Sequence, residues 1–329
     1  MTHDLIRPPQ GGPVAAARDG RLLPRLVAEA GEPAARRFVE FFAATIRNRN
    51  TREAYHRAVS QFLAWCDDRQ VGGLAAIGPL HVAAYVEGLQ AVLAKPTVKQ
   101  HLAAIRMCFD WLVTGHVVRT NPATSVRGPA HIIKKGKTVV LQADQARALL
   151  DSIDVGDVVG LRDRALIAVL TYTFARVSAC VGVRVEDYFP QGKRWWIRLH
   201  EKGGKDHEMP AHHNLEAYID AYLDAAGIWE EKKTPLFRAA PGKTGRLTAN
   251  AMCRTDVYRM IQRRADGLGF GVRIGCHTFR ATGITAYLNA GGALENAQAM
   301  AAHESPRTTK LYDRTTDQIS LDEVERIII

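Results

Sequence analysis

The stretch that most constrains how this chain folds runs from Cys276 to Tyr312, CHTFRATGITAYLNAGGALENAQAMAAHESPRTTKLY. Ile284, Tyr287 and Leu288 recur at helical spacing, Gly291-Gly292 breaks the pattern, and Leu294, Ala297 and Met300 begin a second short helical pattern. Polar side chains bracket this packed segment. His277 and Arg280 stand three apart at its start, on one face if the segment is helical, and His303 and Tyr312 stand nine apart at its end. Reactive groups at both ends of a packed helical segment are held rigidly, so the stretch reads as a site.

A chain of 329 residues fits two domains better than one, and 47% apolar residues suffice for real cores. The net charge of +10 points to a polyanionic partner, nucleic acid before membrane. The excess is uneven: residues 1–138 hold 19 Lys and Arg against 10 Asp and Glu, whereas residues 139–329 hold 25 against 24. A merely solvated basic face is the alternative, and composition alone leaves the two level. Cys66, Cys108, Cys180, Cys253 and Cys276 are scattered, odd in number and without C-x-x-C spacing, which argues against a disulfide framework or a zinc site. No apolar run reaches the roughly 18 residues of a bilayer span, and MTHDLIRPPQGGP lacks the apolar core of a secretory signal, so the expectation is a cytoplasmic protein with no membrane association.

The N-terminal half reads as helical. Residues 1–32 are rich in Pro, Gly, Ala and Arg and are expected to form a flexible arm with one short helix near Leu22 to Ala30. Phe38, Phe41 and Phe42 mark a helix over residues 34–47. Asn50 with Glu53 resembles a capping box for the next one, which carries Tyr55, Val59, Phe62, Leu63 and Cys66 on one face. Two more helices follow, Pro79 to Gln90 and Pro96 to Gly115, with Asn121-Pro122 ending the last. Four helices in about ninety residues make a compact bundle. Arg47, Arg49, Arg52, Arg57, Lys95, Lys99 and Arg106 lie on its polar faces; each alone is an ordinary solubilising charge, but as a set beside few acids they favour a surface that tracks phosphates. Gly128-Pro129 then opens a basic stretch, HIIKKGK, whose Lys134, Lys135 and Lys137 are expected to lie on nucleic acid as an interdomain linker.

The C-terminal half carries the chemistry. Leu141 to Ile153 and Leu161 to Tyr172 have helical patterns, and just past the second stands Arg176, a residue type rarely buried unless paired or bound to an anion. Taken alone, Arg176 reads first as one half of a structural salt bridge. Residues 194–210, RWWIRLHEKGGKDHEMP, alternate as a strand through Trp195, Ile197 and Leu199, turn at Gly203-Gly204 and return through His207 and Met209. That hairpin puts Lys202 and Lys205 at its tip, where a lysine alone is usually just solvated. Helical patterns return over Asn214 to Ala226 and Ala251 to Gly267. After Tyr312 the chain ends in LDEVERIII, whose apolar stripe needs a cover on its own domain or a neighbouring subunit.

In order, Arg176, Lys202, His277, Arg280, His303 and Tyr312 resemble the catalytic set of the tyrosine recombinases, the phage integrase family. The resemblance covers nearly the whole chain and implies a two-domain clamp, mainly α with a small β-hairpin or sheet in an α+β catalytic domain. It divides the chain into a flexible arm (1–32), a helical core-binding, SAM-like DNA-binding domain (33–127), a basic linker (128–138), a catalytic domain (139–320) and a C-terminal helical tail (321–329). It implies a site-specific DNA recombinase acting through a 3′-phosphotyrosyl link. Tyr312 would be the nucleophile, His277 the base, Arg176 and Arg280 the phosphate clamp, Lys202 (or Lys205) the acid and His303 a phosphate donor. No metal or nucleotide cofactor is implied. The implied partner is double-stranded DNA with specific recombination sites, bound by a homotetramer on two sites that exchanges strands through a Holliday junction; accessory recombinases and directionality factors are left open.

Two positions depart from the family pattern. A carboxylate usually stands three residues after the first arginine, where this chain has Ala179, and a histidine usually follows the second, where it has Ala281. Both departures keep the six chemical groups and change what supports them. Competing readings are a type IB topoisomerase and a non-catalytic DNA-binding protein of the same fold. A metal-dependent nuclease is disfavoured because no acidic triad stands out.

Overall fold

The structure, a computed structural model, describes residues 23–131, 136–201, 204–242 and 244–313. The chain divides into two compact units, Met1–Ile132 and Ile133–Ile329. Most of the expected arm, the linker lysines Lys134 and Lys135, the hairpin-tip Lys202 and the 321–329 tail lie outside the described residues. Mostly helical elements with one small antiparallel sheet make up the rest, the expected class. Among the described residues no helix is long and apolar enough to cross a membrane.

The first unit is a helical bundle. Helix α1 (Arg25–Glu29) buries Leu26 and Val27, and α2 (Glu32–Glu40) runs directly into a π-helical turn, Phe41–Thr45, that buries Phe41 and Phe42. Helix α3 (Arg49–Asp68) is capped two residues before the expected position: the Asn48 side chain accepts from the Thr51 amide at 3.1 Å, and Glu53 pairs with Arg49 at 2.9 Å instead of closing a capping box on Asn50. An Asn supplies the same acceptor at either position, and only the approach of the preceding turn selects between them. Helices α4 (Pro79–Gln90) and α5 (Lys95–Thr114) complete the unit. Phe62 of α3 packs between Tyr85 of α4 and Phe109 of α5 with ring centroids at 5.1 and 6.3 Å, each such buried ring contributing about 1.5–3 kcal/mol. The Asn121-Pro122 pair does not end α5, which stops at Thr114. Instead the Asn121 side chain donates to the Arg106 carbonyl at 2.9 Å and the Asp110 carboxylate at 2.6 Å, tying the exit segment back onto α5.

The second unit is built around α7 (Val158–Tyr172), which follows α6 (Ala143–Asp151) and buries every side chain from Ala165 to Leu170. Asp157 caps α7, accepting from the Gly160 amide at 2.6 Å. Short α8 (Val177–Gly182) leads to an antiparallel sheet ordered β1 (Tyr188–Gln191), β2 (Arg194–Glu201) and β3 (Lys205–Pro210), with Ile197 opposite both Tyr188 and Met209. Strand β1 was not expected; at four residues with a proline it carries no alternation of its own and exists as an edge on β2. Then come α9 (His213–Ala226), α10 (Arg254–Ala265), α11 (Cys276–Asn289), α12 (Leu294–Met300) and α13 (Pro306–Lys310). Buried Asp163 of α7 receives Arg162 at 2.6 Å and Arg264 of α10 at 2.8 Å, stapling those helices together.

α11 crosses α7 at Gly283. A methyl group there would meet the Thr171 carbonyl oxygen and the Phe174 ring, so the two backbones touch at this glycine. Gly283→Ala is expected to lower the melting temperature by several degrees. Overpacking costs about 1–3 kcal/mol, each kilocalorie shifting the midpoint by roughly 2–4 °C in a domain of this size, and collision with a main-chain oxygen outweighs the roughly 1 kcal/mol that alanine gains in helix propensity. A melting curve equal to that of the natural protein would show that the helices part freely.

Candidate active site

Helix α11 is set by its start: the Thr278 hydroxyl accepts from the Gly275 amide at 3.1 Å, which orients the first turn and points His277 and Arg280 the same way. Arg280 is the largest fully buried side chain, 1% exposed. It donates to the Phe174 carbonyl and, at 2.6 Å, to the Ala301 carbonyl, and it also interacts with the Tyr312 phenol, while among the described residues its buried Nε has no hydrogen-bond partner. Phe174 (φ +54°) and Ala302 (φ +46°) both sit in the left-handed region that non-glycine residues avoid. That strain costs on the order of 1 kcal/mol each and falls where two chain reversals bring carbonyls to one guanidinium. Burial, then repulsion from Arg176, lowers the Arg280 pKa to about 10, so it remains a cation at neutral pH.

The second half of the long motif folds back over this arginine. His277 Nε2 lies 2.7 Å from the Tyr312 hydroxyl. Tyr312 itself is 7% exposed, its carbonyl accepting from the Thr285 hydroxyl at 2.9 Å and its amide donating to Thr309 at 2.9 Å. The His303 ring lies parallel to the Tyr312 ring, 7° between planes and 5.9 Å between centroids, and its Nδ1 is 2.9 Å from the buried Thr309 hydroxyl. Burial, then the positive field of Arg280 and Arg176, holds His277 below the usual imidazole range and depresses His303 to about 3, so both rings are neutral near pH 7. Burial pushes the Tyr312 phenol up, partly offset by the two arginines. Ala281, where histidine was the family expectation, packs with Phe174, Ile284, Ala301 and Tyr312 in a small apolar cluster behind the site.

Arg176 stands just before α8, and its Nη1 donates to Glu201 Oε2 at 2.5 Å. Glu201 is a site residue that the motif reading missed. The signal was present: counted from Ile197 and Leu199 it falls on the buried face of β2, where a carboxylate needs a cation. Thr309, Phe174 and Ala302 were also missed, and nothing in their local spacing distinguishes them.

Arg176, His277, Arg280, His303 and Tyr312 thus converge: two guanidinium groups, one of them held by the Glu201 carboxylate, two neutral imidazoles and one phenol. Such a site suits an anion with exchangeable oxygens and a nucleophile beside it. Lys202 lies outside the described residues; Lys205 begins β3, exposed, 4.0 Å from Glu304. No group of three or more His, Cys, Asp or Glu among the described residues is placed to hold a metal ion. Of the expected phosphate-tracking set, Arg47, Lys95, Lys99 and Lys137 are exposed and Arg49 is exposed with its Glu53 pair. Arg52 and Arg106 direct their guanidinium groups inward, to the Ile46 carbonyl at 2.9 Å and the Val126 carbonyl at 2.8 Å.

Residues 139–318 match the model of the phage integrase family, and residues 36–117 match that of the phage integrase N-terminal SAM-like domain. The tyrosine recombinase XerC of Escherichia coli O127:H6 is 27% identical over 223 residues, 67% of this chain and 70% of that protein. XerC from Escherichia coli K12 gives the same figures. Among solved structures, the XerH site-specific recombinase on palindromic difH substrate, a post-cleavage complex, aligns with a TM-score of 0.65 at 17% identity, covering 84% of this chain and 78% of that one. A lambda integrase tetramer bound to a Holliday junction aligns at 0.64 and 15% identity, covering 87% and 79%; these likenesses are of fold.

Proposed function

The chain belongs to the phage integrase family, and on that premise we propose that it is a tyrosine-type site-specific DNA recombinase whose nucleophile is Tyr312. The observation that carries this reading is the 2.7 Å contact between Tyr312 and His277 beside a buried arginine with a spare donor. In the first step the Tyr312 oxygen bonds to the scissile phosphorus and the bond from phosphorus to the 5′ oxygen breaks. The products are a 3′-phosphotyrosyl link and a free 5′-hydroxyl. The phenol proton passes to His277, neutral and in reach. An unperturbed phenol loses its proton only near pH 10, and burial pushes Tyr312 higher, so the base is required.

Arg176 and Arg280 hold the non-bridging oxygens, a planar fork for each side of the phosphate, and stabilise the charge that grows there. In the tautomer with its proton on Nε2, His303 accepts from the Thr309 hydroxyl at Nδ1 and serves as a further donor to the phosphate. Lys202, or Lys205 in its place, gives the proton taken by the leaving 5′ oxygen. The phosphodiester energy is kept in the tyrosyl link, so the 5′-hydroxyl of another strand can reverse the step and rejoin DNA without a nucleotide cofactor. The helical domain, with exposed Arg47, Arg49, Lys95 and Lys99, would follow the backbone phosphates. Lambda integrase has been solved as a tetramer bound to a Holliday junction, which supports assembly of four protomers.

The test uses a pool of randomised, singly nicked duplexes with EDTA present, followed by denaturing electrophoresis. A protein–DNA adduct is expected, removable by protease; duplex binding without adduct overturns the proposal. The rate of adduct formation carries a second signature. Because burial and both arginines disfavour the His277 imidazolium, its pKa lies below the free value of about 6.5. The base form therefore persists into acid, and the fall in rate is expected to centre below pH 6.5. A fall centred above pH 6.5 would remove His277 from the base role.

A further inference from the structure

We propose that Glu201 is the positioning residue of this site: its carboxylate stands in for the acid absent at Ala179 and aims the Arg176 guanidinium at the phosphate. The role rests on the recombinase reading and extends it to a residue outside the six-residue set.

Three observations carry it. Glu201 ends β2 with its side chain 3% exposed, and its one hydrogen-bond partner among the described residues is Arg176 at 2.5 Å. A buried carboxylate held by a single short, charge-assisted bond fixes the partner's orientation. The Arg176 side chain is 34% exposed, so it is held by Glu201 without being enclosed, as a phosphate ligand has to be. Ala179 in α8 is 1% exposed, its methyl group in closed core packing, so the acid has moved from the helix to the strand.

Glu201 lies opposite Lys205 in the β2–β3 ladder. Through its ion pair with Arg176 it ties the end of β2 to the phosphate clamp. Its charge also offsets the repulsion of Arg280 by Arg176.

The experiment uses the full chain on the nicked-duplex pool, measuring duplex retention on native gels and adduct rate on denaturing gels for wild type, Glu201→Gln, Glu201→Asp, Arg176→Lys and the double variant Arg176→Lys with Glu201→Gln. Glu201→Gln is expected to retain duplex as wild type does and to form adduct roughly a hundredfold more slowly, the penalty of a misplaced group. Glu201→Asp should recover most of that loss. If Glu201 acts through Arg176, the double variant is scarcely slower than Arg176→Lys alone. Adduct from Glu201→Gln at the wild-type rate, or losses that multiply in the double variant, overturns the proposal. Should Glu201→Gln melt early, the rates are measured below its melting range, and the comparison of the double variant with Arg176→Lys decides. Wild type forming no adduct overturns the recombinase reading instead, a separate outcome.

Discussion

Tyr312→Phe is expected to retain duplex DNA on a native gel and to form no covalent adduct with it. The substitution removes one oxygen. The remaining ring keeps its parallel packing on His303 and its place in the apolar cluster with Phe174, Ala281 and Ile284. What is lost is the 2.7 Å bond to His277, about 1 kcal/mol of stability for a partly buried neutral pair, together with the phenol's interaction with Arg280. The fold and the two arginines therefore survive, and with them the attraction for phosphate. The loss of adduct should be complete, because the neighbouring hydroxyls are committed elsewhere: Thr285 donates to the Tyr312 carbonyl and Thr309 is bonded to His303. An adduct from Tyr312→Phe would mean that another side chain is the nucleophile.

Arg280→Met should have the largest combined effect on rate and stability. Methionine keeps much of the volume and none of the donors, leaving the Phe174 and Ala301 carbonyls unpaired inside the protein. Each orphaned buried acceptor costs about 1–3 kcal/mol, so stability should fall by several kilocalories and the melting temperature with it. Adduct formation should fall by a hundredfold or more, since a preorganised donor to the developing charge goes as well. Arg280→Lys separates the two roles. It keeps the cation but cannot reach both carbonyls and the phosphate from one ammonium, so it should also lose rate by at least about a hundredfold. If Arg280→Met melts with wild type, the carbonyl bonds are not holding α7 and α12 to α11.

Some of this was legible before any coordinates. The helical spacing on either side of Gly291-Gly292 is a local property, and α11 and α12 form where it puts them. Strand β2 follows from its alternation in the same way. Errors appeared where two local solutions were of nearly equal energy. Asn48 and Asn50 both supply a cap, and tertiary packing chose the first. Asn121-Pro122 looked like a helix stop and is a clamp on a helix that had already ended.

The order and chemical kind of the reactive groups came from the sequence alone, through their resemblance to the tyrosine recombinase set: two arginines, two histidines and a tyrosine in the family's order. Which groups hold them in place was decided only by the tertiary structure. Arg176 finds its carboxylate 25 residues away, on a strand, and Arg280 finds its carbonyls 106 and 21 residues away, at two chain reversals bearing left-handed residues. Spacing encodes contacts between residues one or two turns apart. A buried charge has to be matched by whatever the packed chain brings to it, and that depends on how the whole unit closes.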